Sequence, residues 1–229
     1  PLVTAKDMFS HRVSILTGHY GTGKTEVSVN LALALAAEGE QVMLADLDIV
    51  NPYFRSRERR PLLEKAGVRV ISSSQACSDA DVPALPAELL TILENREIRG
   101  ILDIGGDPVG ARVLARFQPK IVQEDYQLIF VLNANRPEVR DAESAAAYLR
   151  SIEAVTGLTC SGLVNNTHLC GETTPAEIRK GAALAQEVSR QTEIPILCHT
   201  AERRFLESLS DLGEPVFPIA INMKKPWER

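Results

Sequence analysis

The chain has 229 residues, 45% of them hydrophobic and 24% charged, which is enough apolar content for one well-filled core and excludes a disordered or fibrous chain. Its 25 basic against 30 acidic residues leave a net charge of −5, so no electrostatic footprint for nucleic acid or an anionic membrane surface is present. The longest apolar run, 31–37, is far short of the roughly 20 residues that span a bilayer, and the first residues lack the order of a signal peptide; a cytoplasmic location without membrane or nucleic-acid partners is expected.

Short β-rich apolar runs alternate with longer helical segments along the chain, the pattern of a doubly wound α/β domain with a mostly parallel sheet and helices on both faces. Strands are predicted at Arg12–Thr17, Gln41–Ala45, Val68–Ser72, Gly100–Ile104, Gln127–Asn133, Cys160–Val164 and, more weakly patterned, Pro195–Cys198. Helices are predicted at Lys24–Glu38, ended by Gly39, at about Ala87–Asn95, and at Pro137–Ala154 and Pro175–Arg190, where an initial proline loses no needed N–H. Residues 72–81 read as surface loop. The prolines at 215, 218 and 226 predict one short edge strand and then a tail at 213–229, so residues 1–229 make a single domain with its core at about 12–210.

Cys77, Cys160, Cys170 and Cys198 form no CxxC pair and read as reduced, mostly packing thiols. His168 and Cys170 lie near Cys160 in sequence, but three ligands without a fourth do not make a zinc site.

Gly18-His19-Tyr20-Gly21-Thr22-Gly23-Lys24-Thr25 fits GxxxxGK[ST], with a β-rich run leading in and a helix leading out. Gly18, Gly21 and Gly23 let the backbone turn so that successive N–H groups, including that of Thr22, face phosphate oxygens, and the positive end of the following helix adds to the attraction. Lys24 supplies a cation for the phosphates and Thr25 a hydroxyl for Mg²⁺. Two later strands end in acids, Asp46 and Asp48 in LADLD and Asp103 in ILDIGGD, at the edge where open α/β folds bind ligands. Asp103, in a DxxG arrangement, is expected to help hold the metal and Gly106 to offer an N–H to a γ-phosphate, making 103–109 a nucleotide-sensing segment. No glutamate follows Asp103; Asp48 is the candidate for orienting the attacking water, and Asp46 supports the metal shell.

In these features the chain resembles the MinD/ParA-type P-loop ATPases, a superfamily that takes in the nitrogenase iron protein, dethiobiotin synthetase and the cobyrinate amidating enzymes. The resemblance rests on GHYGTGKTEVSVNLALALA at 18–36, VMLADLDIVNP at 42–52, ILDIGGD at 101–107 and GLVNNTH at 162–168. It implies a sheet of seven or eight strands with the phosphate-loop strand beside the Asp103 strand, ATP and Mg²⁺ at its C-terminal edge, and a homodimer closing over nucleotide. By position it gives Lys24 and Thr25 to phosphate and metal, Asp48 to the attacking water, Asp103 to the metal, and Asn165 or Asn166 to the purine edge, whose groups an amide matches in both directions. His19 stands where MinD/ParA proteins carry a signature lysine that reaches across the dimer, so either that contact is not used or His19 or a nearby arginine replaces it. Tyr20 fills a position that is glycine in that branch, the cysteines of a bridging iron–sulfur cluster are missing, and no iron–sulfur cluster or terminal membrane helix is expected.

The segment Asn51–Arg60, with four arginines and two aromatic residues, follows Asp48, and Arg55 or Arg57 is a candidate contact for an anionic ligand or partner. Asn133, Asn135 and Arg136 end another strand on the same edge. The leading expectation is an ATP hydrolase acting as a regulatory or assembly switch toward a protein partner. The alternatives are a ligase or amidoligase with a small-molecule acceptor, and a nucleotide-binding module without turnover. The guanine-reading NKxD pattern is absent, although 166–167 does not positively select adenine.

Overall fold

A computed structural model describes residues 3–47, 56–72 and 87–221. Eight strands, β1 (Val13–Thr17), β2 (Gln41–Leu47), β3 (Arg69–Ser72), β4 (Ile98–Ile104), β5 (Tyr126–Leu132), β6 (Cys160–Asn165), β7 (Ile196–Glu202) and β8 (Val216–Ile219), form one sheet in the order β3-β2-β4-β1-β5-β6-β7-β8. Every neighbouring pair runs parallel, so the sheet is wholly rather than mostly parallel. The phosphate-loop strand β1 lies between β4 and β5, as the resemblance implied for the Asp103 strand. The strand order reverses around β1, where open α/β sheets leave a crevice at their C-terminal edge.

The helices are α1 (Ala5–Met8), α2 (Lys24–Ala37), α3 (Ser56–Lys65), α4 (Ala87–Glu94), α5 (Pro108–Ala111), α6 (Gln118–Ile121), α7 (Ala142–Thr156) and α8 (Pro175–Thr192). Alternation along each strand sends side chains to two cores. Leu16, Leu44, Ile101, Ile129 and Val131 pack with α1, α2 and Leu63 of α3 on one face. Val13, Ile15, Leu102, Leu128 and Phe130 pack with α4, α7 and α8 on the other. With both faces covered, β1 is buried throughout and β5 at all but its first residue, which explains their near-continuous apolar runs.

Some boundaries differ from the sequence expectation for local reasons. The segment expected as one helix from Pro137 begins with a 3-10 turn at Pro137–Val139, and α7 starts at Ala142 because the Asp141 side chain caps it by accepting from the Ser144 N–H at 2.8 Å. The strand expected to end at Cys198 runs on to Glu202 because β8 pairs with it from His199 to Glu202. The short edge strand is β8, and its Pro218 is tolerated on an edge strand. Beyond it, Asn30 of α2 exchanges two hydrogen bonds with the Ala220 backbone, at 3.0 and 2.8 Å, tying the strand's exit to the helix behind the phosphate loop. The fragments α1, α5 and α6 were not anticipated; each has four residues, too short to show a helical period.

Candidate functional site

The loop between β1 and α2 takes a conformation that glycine permits. Gly18, Gly21 and Gly23 have φ of +145°, +78° and +83°. A Cβ on Gly18 would stand 2.5 Å from the Val131 carbonyl oxygen, and one on Gly23 would stand 2.3 Å from the Asn166 amide nitrogen. Gly23 precedes α2 without a side-chain cap, so the first N–H groups of that helix are left to an external acceptor. Thr22 is fully buried, and its hydroxyl donates to the His19 carbonyl at 2.9 Å, closing the loop on itself. Lys24 and Thr25 open the helix and are 7% and 6% exposed.

The acidic strand ends meet this loop. Asp46 and Asp103 are register partners on β2 and β4, so they stand side by side on one sheet face, and both are buried. Leu16 of β1 is the next partner in that row and packs on the α2 side. The Thr25 hydroxyl donates to an Asp103 carboxylate oxygen, which places the proposed metal-holding pair together. Two buried carboxylates beside a hydroxyl make a hard oxygen set, which suits Mg²⁺ completed by substrate phosphate and water. Among the described residues no three His, Cys, Asp or Glu side chains gather as a metal cage, so the His168–Cys170 pair, 3.9 Å apart, has no third ligand there. Asp48 lies outside the described residues, as do 49–55 including Arg55. Within the rest of that arginine-rich segment, Arg60 donates to the Val70 carbonyl at 3.2 Å and so fastens α3 to β3.

Gly106 abuts the phosphate loop directly. A Cβ there would stand 2.8 Å from both the Gly18 carbonyl oxygen and the Tyr20 N. Its carbonyl accepts the Tyr148 hydroxyl of α7, and the His19 ring packs edge-on against the Tyr148 ring at 5.0 Å. Burial, reinforced by the Asp107 charge, pushes the Tyr148 phenol up to about 12, which keeps its proton available for that bond. The loop, the Asp103–Asp107 segment and α7 are therefore one contact network. Tyr148 was not legible as a site residue; the one hint is a lone aromatic ring among the alanines of 142–147.

On the opposite side of β1, Asn166 donates to the Thr22 carbonyl at 2.8 Å and accepts the Thr200 hydroxyl at 2.5 Å. Asn165 donates to the Ile178 carbonyl at 3.0 Å, lies 3.1 Å from the His199 ring nitrogen, and accepts the Thr167 N–H. Both amides are buried and engaged with the protein, Asn166 holding the loop at Thr22 and Asn165 tying the end of β6 to α8 and β7. Arg136, from the turn after β5, donates from Nε to the Gly21 carbonyl at 2.7 Å. His168 faces Gly23, where a Cβ would come within 3.0 Å of its Nε2.

Burial first, and then the Arg136 charge, pull the His168 pKa down to about 4. The unfolded imidazole takes up a proton below about 6.5 while the folded one does not, so stability declines as pH falls from about 6.5 toward 4, by up to about 3 kcal/mol. Urea midpoints at pH 7 and pH 5 are expected to differ less in His168→Asn than in the native chain; an equal loss would show that other groups govern this window.

The ParA-family model described as "NUBPL iron-transfer P-loop NTPase" matches residues 8–56, which span β1, the loop, α2 and β2. The septum site-determining protein MinD of Helicobacter pylori is 24% identical over 239 residues, covering 95% of this chain and 87% of that protein. The chain is similar to MinD/ParA-type P-loop NTPases, over residues 8–56 to the family model and over 95% of its length to MinD. Two further relatives are matched over shorter stretches. The cytosolic Fe-S cluster assembly factor cfd1 of Emericella nidulans is 36% identical over 42% of this chain and 26% of its own length. The iron-sulfur cluster carrier protein of Escherichia coli K12 is 50% identical over 18% of this chain and 11% of its own. Among solved structures, chloroplast FtsY of Physcomitrella patens superposes at TM-score 0.54 and 19% identity, and the cell division protein ftsY of Thermotoga maritima at 0.52 and 22%. Each alignment covers 80% of this chain but less than two thirds of the other. These neighbours share the fold.

The chain departs from the MinD/ParA pattern at the loop. His19, at the signature-lysine position, is turned onto Tyr148 with its Nδ1 3.1 Å from the Tyr20 carbonyl oxygen and 3.9 Å from a Glu138 carboxylate oxygen. Tyr20 is 65% exposed. Among the described residues no helix is long and apolar enough to cross a membrane.

Proposed function

We propose that the chain binds Mg²⁺ and ATP at residues 18–25, hydrolyses the γ-phosphate bond, and uses the change to alter its affinity for a protein partner. The observation that carries this reading is Gly106 in backbone contact with Gly18 and Tyr20 while its carbonyl is tied to Tyr148. A change at the third phosphate is thereby coupled to α7. In this reading the loop N–H groups and Lys24 stabilise charge developing on the transferred phosphoryl group, and Thr25, Asp103 and Asp46 hold the metal, which would neutralise the phosphate oxygens. Asp48 orients the attacking water. Water attacks phosphorus, the bond to the β-phosphate oxygen breaks, and ADP and inorganic phosphate leave.

Phosphate release from ATP and from GTP, measured at several protein concentrations, tests the reading. A slow rate that vanishes in Lys24→Ala is expected, with ATP preferred. A rate per chain that rises with concentration supports the homodimer that the resemblance implies. Asp48→Asn is expected to leave nucleotide affinity within about twofold and to lower turnover by about 10²–10⁴-fold, the range for a positioned acid–base group. Equal losses in both would remove Asp48 from that role.

The iron–sulfur names among the relatives bear on the partner. The matched family model ends at residue 56, and Cys77, Cys160, Cys170 and Cys198 all lie beyond it. Cys160 and Cys198 are buried, and burial pushes both thiols up, Cys160 to about 12, which disfavours the thiolate that clusters require. Cys170 is exposed, but no three His, Cys, Asp or Glu side chains gather among the described residues, so the reading keeps the nucleotide switch and gives this chain no cluster of its own. Reconstitution with iron and sulfide under reducing conditions checks it, with no cysteine-dependent visible absorbance expected.

A further inference from the structure

We propose that Arg136 supplies a positive charge, from within the same chain, to the phosphates of a nucleotide held at residues 18–25. The inference rests on the nucleotide-binding reading above and names a residue which that reading leaves without a part.

The sheet order divides the site. The carboxylates Asp46 and Asp103 end β2 and β4 on one side of β1, whereas Arg136 follows β5 on the other. A nucleotide on the loop is thus flanked by a metal-holding side and a cationic side. The Arg136 guanidinium rests on the loop backbone: its Cζ, Nε and Nη2 lie 2.7, 2.8 and 3.0 Å from where a Cβ on Gly21 would be, an approach that only glycine allows. Nε is spent on the Gly21 carbonyl, and the two terminal nitrogens lie beyond it.

The turn that carries Arg136 is built rather than loose. Its N–H donates to the Asn133 carbonyl at 3.0 Å, its carbonyl accepts from Val139 at 3.2 Å, and the Asn135 N–H donates to the Asn133 side chain at 3.0 Å. Fixing a guanidinium in this way leaves little to reorganise when an anion arrives.

The charge balance points to an anion. Among the described residues no carboxylate lies within ion-pair distance of Arg136. The titratable neighbour it does sense is His168, which its charge helps to keep neutral. At the root of the same turn the Asn133 amide nitrogen is fully buried without a hydrogen-bond partner. A cation without a counter-charge, set against a loop whose N–H groups already carry positive partial charge, is balanced when phosphate binds between them.

The test separates charge from scaffolding. Arg136→Gln keeps an N–H donor for the Gly21 carbonyl and removes the charge, while Arg136→Lys keeps the charge. With the full chain and Mg²⁺, binding of ATP and of AMP is measured by calorimetry, with melting temperature as the control for folding. Arg136→Gln is expected to weaken ATP about 10-fold or more and AMP much less, with Arg136→Lys closer to native. If Arg136→Gln binds ATP as the native chain does, or if both variants weaken ATP and AMP equally as the melting temperature drops, Arg136 is a pin for the loop and the inference is overturned. A native chain whose ATP binding does not depend on Lys24 overturns the nucleotide-binding reading itself, and this inference with it.

Discussion

Lys24→Ala is expected to weaken ATP binding and to lower turnover, each by about 10²–10³-fold, the cost of losing one preorganised donor to a developing phosphate charge. Lys24 is the first residue of α2, is 7% exposed, and follows a left-handed glycine that supplies no side-chain cap. Its ammonium is therefore confined beside N–H groups aimed at the same acceptor, where a charge-assisted bond is stronger than in water. Asp103 is buried and bonded to the neighbouring Thr25, so a melting curve also reports what the substitution does to this corner. Titration calorimetry and phosphate release, with a melting curve on the same sample, separate the two consequences. Unchanged ATP affinity in a folded Lys24→Ala chain would mean that the loop does not hold the triphosphate.

Gly106→Ala is the second large effect and probes the coupling. One methyl group there meets the Gly18 carbonyl oxygen and the Tyr20 N at 2.8 Å, backbone atoms that do not rotate away as a side chain would. The loop and the Asp103–Asp107 segment must separate by several tenths of an ångström, and the cost is about 1–3 kcal/mol, the range for overpacking. For a chain of this length that corresponds to a fall of about 2–12 °C in melting temperature. Turnover is expected to drop at least about 10²-fold, because the N–H at 106 leaves the position from which it would sense the γ-phosphate, while ADP affinity changes little. If melting temperature, ATP affinity and turnover all stay native, the close approach of these two segments is not what links nucleotide state to α7.

The two substitutions also show why parts of the site were legible before the fold was known. Residues 18–25 announce themselves because a phosphate cradle needs glycines, a lysine and a hydroxyl at contiguous positions, so the chemistry is written locally. Asp103 and Gly106 were readable for the same reason, being three residues apart at a strand end. Their proximity to the loop followed only from β4 pairing with β1, which places Leu16 opposite Asp103. Tyr148 and Arg136 reach the loop from 129 and 115 positions beyond His19 and Gly21, and Thr200 backs the Asn166 amide that holds Thr22; no spacing rule connects such residues.

By itself the sequence determined the α/β class, the two-period alternation of strand and helix, and the phosphate loop, because each depends on hydrophobic periodicity or on adjacent residues. It placed the starts and ends of strands approximately, and it misjudged the start of α7 because the Asp141 cap competes locally with the proline signal at 137. Only the tertiary structure decided which strand lies beside which, that Asp46 and Asp103 share one row, that Asn166 holds the loop while Asn165 bonds α8, and that an arginine without a described counter-charge rests on Gly21. Those facts depend on parallel pairing between strands far apart in the chain, where register is set by the packing of both sheet faces rather than by any local pattern.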